Sequence, residues 1–494
     1  MNKTKLLLDK DYIIAPIGKK LFSTFVEHLG RCVYEGIYEP GHPSADKNGF
    51  REDVRALVRE LNFGALRYPG GNFVSGYNWL DGIGPRASRP KRLDYAWCSI
   101  EPNEIGIDEF CGYAKSVNSE VMYAVNMGTG SPQDAGYIVE YANFPGGTYY
   151  SDLRVKNGYK EPHNIKLWCV GNEMDGPWQI CHLDAHDYGK KTLETAKIMK
   201  WADPSIELCV CGSATSSLPT YPEWDRLVLE YVYDKVDYIS LHRYYENHGD
   251  ELDFLASFHE MDEFIKTVAA TADYVKALKR SKKTMMLSFD EWNIWYQAKT
   301  QLKQWEFAPH ILEDNYSLLD AVSFGALLCT LINNSDRVRI ACLAQMVNVI
   351  APIFTEKGGK AIRQTTFYPF AMAANNCLGM VLKPVGKTPL LKSKSYGEVS
   401  AVPNAAVWNE EKREVNIICA NISAENQSLE LDMRSFGRAA LAEHQVLSGD
   451  LSATNTLENP DKVKPKFMNC AGSASEKPEL TLEPKSFNLI KLKV

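Results

Sequence analysis

Two acids stand out for the chemistry they could do. One is Glu173 in LWCVGNEMDGPWQ; the other, in SFDEWNIWY, is Asp290 or Glu291. A pair of carboxyl groups flanking a glycosidic bond supplies an acid on one side and a nucleophile or base on the other. Further groups recur in the same setting, directly after short apolar runs: Glu27-His28, Tyr68-Pro69-Gly70-Gly71-Asn72, Asn172, His242-Arg243-Tyr244-Tyr245, Asn293 and Gln345. Trp97, Trp178, Trp292 and Trp295 fall in or near these loops. Amides and carboxylates satisfy hydroxyls, and indole faces stack on the C–H faces of sugar rings, so the set suits a carbohydrate. Lysine is absent from these positions, which argues against a Schiff-base aldolase. No HxxH-plus-carboxylate cluster is present, and His182 and His186 lack the glutamate of an HExxH pair, so no metal and no organic cofactor is expected. Neighbouring residues of a strand point to opposite faces, so only one of Asp290 and Glu291 should reach a shared site.

Such residues must be carried to one place. Eight apolar, β-branched runs read as strands: 21–26, 63–68, 121–126, 165–170, 207–211, 236–241, 284–289 and 338–344. Amphipathic helical stretches separate them; in GFREDVRALVRELN, Phe50, Val54, Leu57, Val58 and Leu61 form one stripe. Alternating strands and helices predict parallel βα units closed into a (β/α)8 barrel, whose strands place their C-terminal ends around one mouth. An open doubly wound sheet would carry a GxGxxG turn after its first strand, and none is present. Gly70 and Gly71 read as backbone that aims Asn72, and His28 and His242 as hydrogen-bonded supports. Glu27 either binds substrate or pairs with Arg31 on the surface.

The barrel domain is assigned to 19–375, with long insertions at 69–108 and 143–163. Beyond residue 376 the period becomes two: Leu429, Leu431 and Met433 alternate with Glu430 and Asp432. Residues 376–494 therefore read as an antiparallel β-sandwich, to which 1–18 should add an edge strand.

The whole chain, 494 residues with 45% hydrophobic and 24% charged, suits a large soluble core. A net charge of -7 gives no reason to expect nucleic-acid or anionic-membrane binding. The longest apolar stretch, 321–332, falls short of the roughly 20 residues that span a bilayer. Leu6 to Leu8 is too short for a signal-peptide core. Twelve cysteines scatter without CxxC pairs inside apolar runs, as reduced thiols of a cytoplasmic protein would.

The segments EHLGRCVYEGIYEPGH, RYPGGNFVSGYNW, LWCVGNEMDGPWQ, SLHRYY, SFDEWNIWY and ACLAQMVNVIAPI together resemble glycoside hydrolase family 51, the α-L-arabinofuranosidases, from about Leu21 to Phe370. The resemblance implies a retaining, exo-acting enzyme on arabinofuranosyl oligosaccharides derived from arabinan and arabinoxylan. It implies Glu173 as acid/base and selects Glu291, not Asp290, as nucleophile. It further implies that Glu27, Asn72, Asn172, Tyr244 and Gln345 bind the furanose, that Trp97 and Trp295 shape the pocket, and that the chain forms a homo-oligomer, a hexamer by family habit. MGTGSPQDA departs from the family pattern, which usually has an arginine near Gly130.

Overall fold

Runs buried on both faces need no polar alternation, and β-branched residues keep them extended. The computed structural model, which describes residues 2–297, 301–470 and 473–494, turns these runs into eight barrel strands. They are β1 (Ser23–Phe25), β2 (Ala65–Tyr68), β3 (Glu120–Ala124), β4 (Leu167–Val170), β5 (Glu207–Val210), β6 (Tyr238–Tyr245), β7 (Met286–Ile294) and β8 (Val338–Ala344). Each pairs in parallel with the next, and β8 returns to β1 through Cys342–Ser23, Leu343–Thr24 and Ala344–Phe25. The expected barrel is the observed one. Met1 of the N-terminal segment lies outside the described residues.

Helices cover the barrel with their apolar stripes. In the helix Glu52–Leu61, Val54, Leu57, Val58 and Leu61 are buried, and Asn62 ends it in the left-handed region at φ 55°. The helix Leu318–Asn333 is buried on every side, which explains the long apolar stretch around Ala321. It lies between the barrel and the C-terminal sheet, and Gly325 leaves room there for the Phe487 ring: a Cβ would sit 2.2 Å from it. Among the described residues no helix is long and apolar enough to cross a membrane.

The C-terminal region contains a seven-stranded sheet and a four-stranded sheet around a core of Leu6, Leu8, Leu382, Ile417, Leu429, Leu431, Ile490 and Leu492. The N-terminal segment supplies a strand to each. Ile13–Ile17 is an edge strand beside Gly379–Leu382. Asn2–Leu7 is internal, parallel to Gln427–Asp432 and antiparallel to Val385–Lys387. A separate hairpin, Leu390–Ser393 with Gly397–Ser400, leaves the sheets and reaches the barrel.

Candidate active site

The mouth is built from strand ends. Just after β1, Glu27 is buried and accepts hydrogen bonds from the Phe73 amide (2.9 Å), Trp97 Nε1 (2.9 Å) and Gln345 Nε2 (3.2 Å), while its own amide donates to Gln345 Oε1 (3.1 Å). Gly71 is required for this: a Cβ there would lie 2.3 Å from Glu27 Oε2. Burial pushes the Glu27 carboxyl up to about 8, with Glu291 and Asp94 adding and the Phe73 and Trp97 donors opposing. Trp97 follows the first strand of a small hairpin, Arg92–Asp94 with Ser99–Glu101, that the second-strand insertion forms. Arg31 pairs with Glu313 at 2.6 Å.

After β4 the chain turns sharply, with Gly171 at φ 99° and Glu173 at φ 44°. A glutamate in that region costs on the order of 1 kcal/mol, and here the turn directs its carboxyl into the mouth. Trp178 Nε1 donates to Glu173 Oε2 at 2.6 Å, and His242 Nδ1 shares a hydrogen bond with Oε1 at 2.9 Å.

Strand β7 departs from simple alternation. Its register slips against β6 between Ser240 and His242 and against β8 between Phe289 and Trp292. This β-bulge lets both Asp290 and Glu291 enter the lumen, contrary to the expectation that only one could. They take different depths. Asp290 sits over the Cys169 and Cys209 thiols and meets His242 Nε2 (3.2 Å) and Arg67 Nε (3.4 Å). Glu291 accepts from Arg67 Nη1 (2.7 Å) and from the Tyr244 hydroxyl (2.8 Å). A carboxylate oxygen of Glu173 lies within 4.8 Å of one of Glu291. Beyond the bulge Trp292 points outward against Phe324, with ring centroids 4.8 Å apart, so it is core and not site.

Two buried cations serve these acids. Burial alone would lower the His242 imidazole, but Glu291, Asp290 and Glu173 together hold it well above its usual value. Burial raises the Glu291 carboxyl and the charge of Glu173 pushes the same way, while His242 and Arg67 oppose both. Burial likewise opposes ionisation of Asp290, yet Arg67 and His242 outweigh it and hold that carboxyl low. Among the described residues, Glu173, His242 and Glu291 are also the cluster whose atoms could meet at a metal. Their oxygens are already engaged by Trp178, Tyr244, Arg67 and His242, a donor set that suits proton sharing and would repel a dication.

The family model of the Alpha-L-arabinofuranosidase 1 domain matches residues 57–266, and that of the Alpha-L-arabinofuranosidase C-terminal domain matches 290–486. The intracellular exo-α-(1→5)-L-arabinofuranosidase of Acetivibrio thermocellus is 52% identical over 476 residues, 94% of each chain. Its namesake in Bacillus subtilis, numbered 1, is 50% identical over 500 residues, covering 100% of this chain and 99% of the other. The solved structure of a family 51 α-L-arabinofuranosidase from Bifidobacterium longum superposes with a TM-score of 0.96 at 42% identity, covering 99% of both chains. This chain belongs to glycoside hydrolase family 51.

In this family 51 chain the carboxyl pair opens into a cavity of about 710 Å³, within the range of small-ligand sites. Glu27, Asn72, Trp97, Glu173, Tyr244, Glu291, Trp295 and Gln345 all line it. Trp295 packs edge-on against Tyr244, centroids 5.1 Å apart. Asn172 is not part of that wall; its Oδ1 is taken by Arg67 Nη2 (2.7 Å). His182 precedes the helix Ala185–Ala202, whose N-cap is Asp184, so the helical spacing to His186 is not realised.

The residue that sequence reasoning missed is Arg67. It is fully buried in β2, bridges Asp290, Glu291 and Asn172, and lies over the Phe25 ring at 4.5 Å. The signal was available: an arginine inside an apolar barrel strand needs buried carboxylates as partners. Arg67→Met would leave those charges uncompensated and should lower unfolding free energy by about 3–5 kcal/mol. Urea denaturation measures this, and an unchanged midpoint would show that the guanidinium is dispensable to the fold.

Proposed function

We propose that this family 51 chain is a retaining, exo-acting α-L-arabinofuranosidase, with Glu291 as nucleophile and Glu173 as acid/base. The observation that carries the reading is the approach of the two carboxylates within 4.8 Å. Retaining glycosidases hold their pair at about 5–5.5 Å, whereas inverting ones leave about 6.5–9.5 Å for a water. A gap this short suits direct covalent capture.

The chemistry follows from the contacts. Glu173 brings a proton to the glycosidic oxygen while a Glu291 oxygen attacks the anomeric carbon; the C–O bond to the leaving group breaks and an arabinosyl ester forms. Arg67 and Tyr244 donate to Glu291 and aim the attacking oxygen, and Arg67 with His242 opposes the upward push of burial on its carboxyl. Once Glu291 is an ester its charge is gone, and Glu173 can take a proton from the water that hydrolyses the intermediate. Two inversions give net retention. Glu27, Asn72, Trp97, Tyr244, Trp295 and Gln345 enclose the furanose. Asn172, held by Arg67, braces the Glu173 turn and has its Nδ2 towards the Gln179 amide at 3.4 Å.

The substrates proposed are terminal arabinofuranosyl units of arabinan- and arabinoxylan-derived oligosaccharides, with the α-1,5 linkage favoured because the relatives at 50–52% identity carry that name. Cytoplasmic placement rests on the word intracellular in the same names. A homohexamer is the corresponding proposal for assembly, tested by light scattering on the eluted peak. Proton NMR of hydrolysis on an α-L-arabinofuranoside should show the α-anomer of arabinose first, with β appearing only by mutarotation. Initial release of the β-anomer would exclude double displacement.

A further inference from the structure

The cavity has two ends. Over β1, β2 and β8 it is lined by Glu27, Asn72, Trp97 and Gln345, the furanose side of the preceding reading. Over β5 and β6 it is lined by Thr215, Ser217, Arg243 and His248, and also by Tyr396, which comes from beyond the barrel. The mechanism above uses Tyr244 of β6 but none of these five residues.

Tyr396 is delivered there by a pinned element. It lies at the turn of the hairpin Leu390–Ser393 with Gly397–Ser400, where Gly397 adopts φ 69°. Asp253, on the barrel side in the short helix Glu251–Leu255, accepts from Ser393 Oγ (2.6 Å), the Lys394 amide (2.7 Å), the Ser395 amide (3.2 Å) and Ser395 Oγ (2.5 Å). The same helix is tied to the C-terminal region a second time: Lys485, just before the strand Ser486–Lys493, pairs with Glu251 at 2.7 Å. Four donors on one carboxylate hold the hairpin tip in place, more than a strand connection needs, and the half-buried Tyr396 ring is set 6.2 Å from His259.

Arg243 is aimed with similar care. Its Nε donates to Glu260 Oε2 at 3.1 Å, and Glu260 is itself held by the Tyr245 hydroxyl (3.0 Å) and Ser216 Oγ (2.6 Å). The guanidinium lies over the Tyr245 ring at 5.4 Å. Among the described residues its two terminal nitrogens have no hydrogen-bond partner. Paired N–H donors beside an aromatic ring suit the hydroxyls and C–H face of a sugar.

The leaving group must lie on the side of the acid that protonates it; Glu173 ends β4, which pairs with β5, and its carboxylate is held by His242 of β6. We propose that Arg243 and Tyr396 form the subsite for the leaving-group sugar, so that the C-terminal region takes part in selecting oligosaccharides. This rests on the glycosidase reading above. The ligand is a neutral pentose or pentose oligomer attached through the scissile oxygen.

Tyr396→Ala, Arg243→Met and Asp253→Ala should each be assayed on α-1,5-linked arabinotriose and on 4-nitrophenyl α-L-arabinofuranoside, with thermal melts alongside. Asp253 acts only by positioning Tyr396, so its variant should mimic Tyr396→Ala. The expected result is a drop of about tenfold in kcat/KM on arabinotriose with the aryl glycoside within about twofold of the parent. Equal losses on both substrates, or none on either, would overturn the subsite. A parent enzyme inert towards the aryl arabinofuranoside would instead overturn the reaction reading, and the subsite with it.

Discussion

Glu291→Ala should lose activity on aryl and natural arabinofuranosides alike, by on the order of 10⁴- to 10⁶-fold in kcat, as removal of a catalytic nucleophile does elsewhere. The side chain supplies the bond-forming oxygen, and nothing near it can substitute. Asp290 sits deeper, over the Cys169 and Cys209 thiols, engaged by His242 and Arg67. Shortening Glu291 also opens space on the side from which it attacks. Azide placed there should restore turnover of an activated substrate and give the β-azide, inverted relative to the starting α-glycoside. Recovery of an α-azide, or a variant retaining more than about a hundredth of parental kcat, would remove Glu291 from the role. Far-ultraviolet circular dichroism separates this from misfolding, because the variant removes a buried charge together with its partners' hydrogen bonds.

Glu173→Ala should behave differently on different substrates. On an arabinofuranosyl disaccharide the departing alkoxide needs a proton, and loss of the general acid should cost about 10²- to 10⁴-fold. On 4-nitrophenyl α-L-arabinofuranoside the phenolate leaves without help, so formation of the ester continues. Its hydrolysis still needs the base, so the ester should accumulate, visible as a nitrophenolate burst stoichiometric with enzyme and a fall in KM. Azide should relieve this second step and yield the α-azide, because two inversions have then occurred. The opposite configurations from the two variants assign the roles independently of rate. Equal loss on both substrates, with no burst, would count against an acid role for Glu173.

Much of this is legible in the sequence. A barrel strand is a short apolar run, a covering helix is a stripe at three-to-four spacing, and both are local properties of the chain. The eight runs beginning near Leu21 and ending at Ala344 therefore became the eight strands, and residues just past them became the mouth. Polar groups collected at those positions pointed to a sugar because few other ligands need so many acids, amides and indoles at once.

Tertiary structure decided the rest. Alternation offered either Asp290 or Glu291, but the slip in register along β7 admits both and sorts them by depth. Arg67 looked like one more strand residue until closure of the barrel set it beneath acids more than a hundred positions away. Tyr396 joins the cavity only because a hairpin from another unit is fastened to Asp253. The physical reason is common to all three. Sequence pattern records which face of an element is apolar, whereas the distance between side chains remote in the chain depends on how elements close, bulge and dock, and catalysis is sensitive to that distance at the level of an ångström.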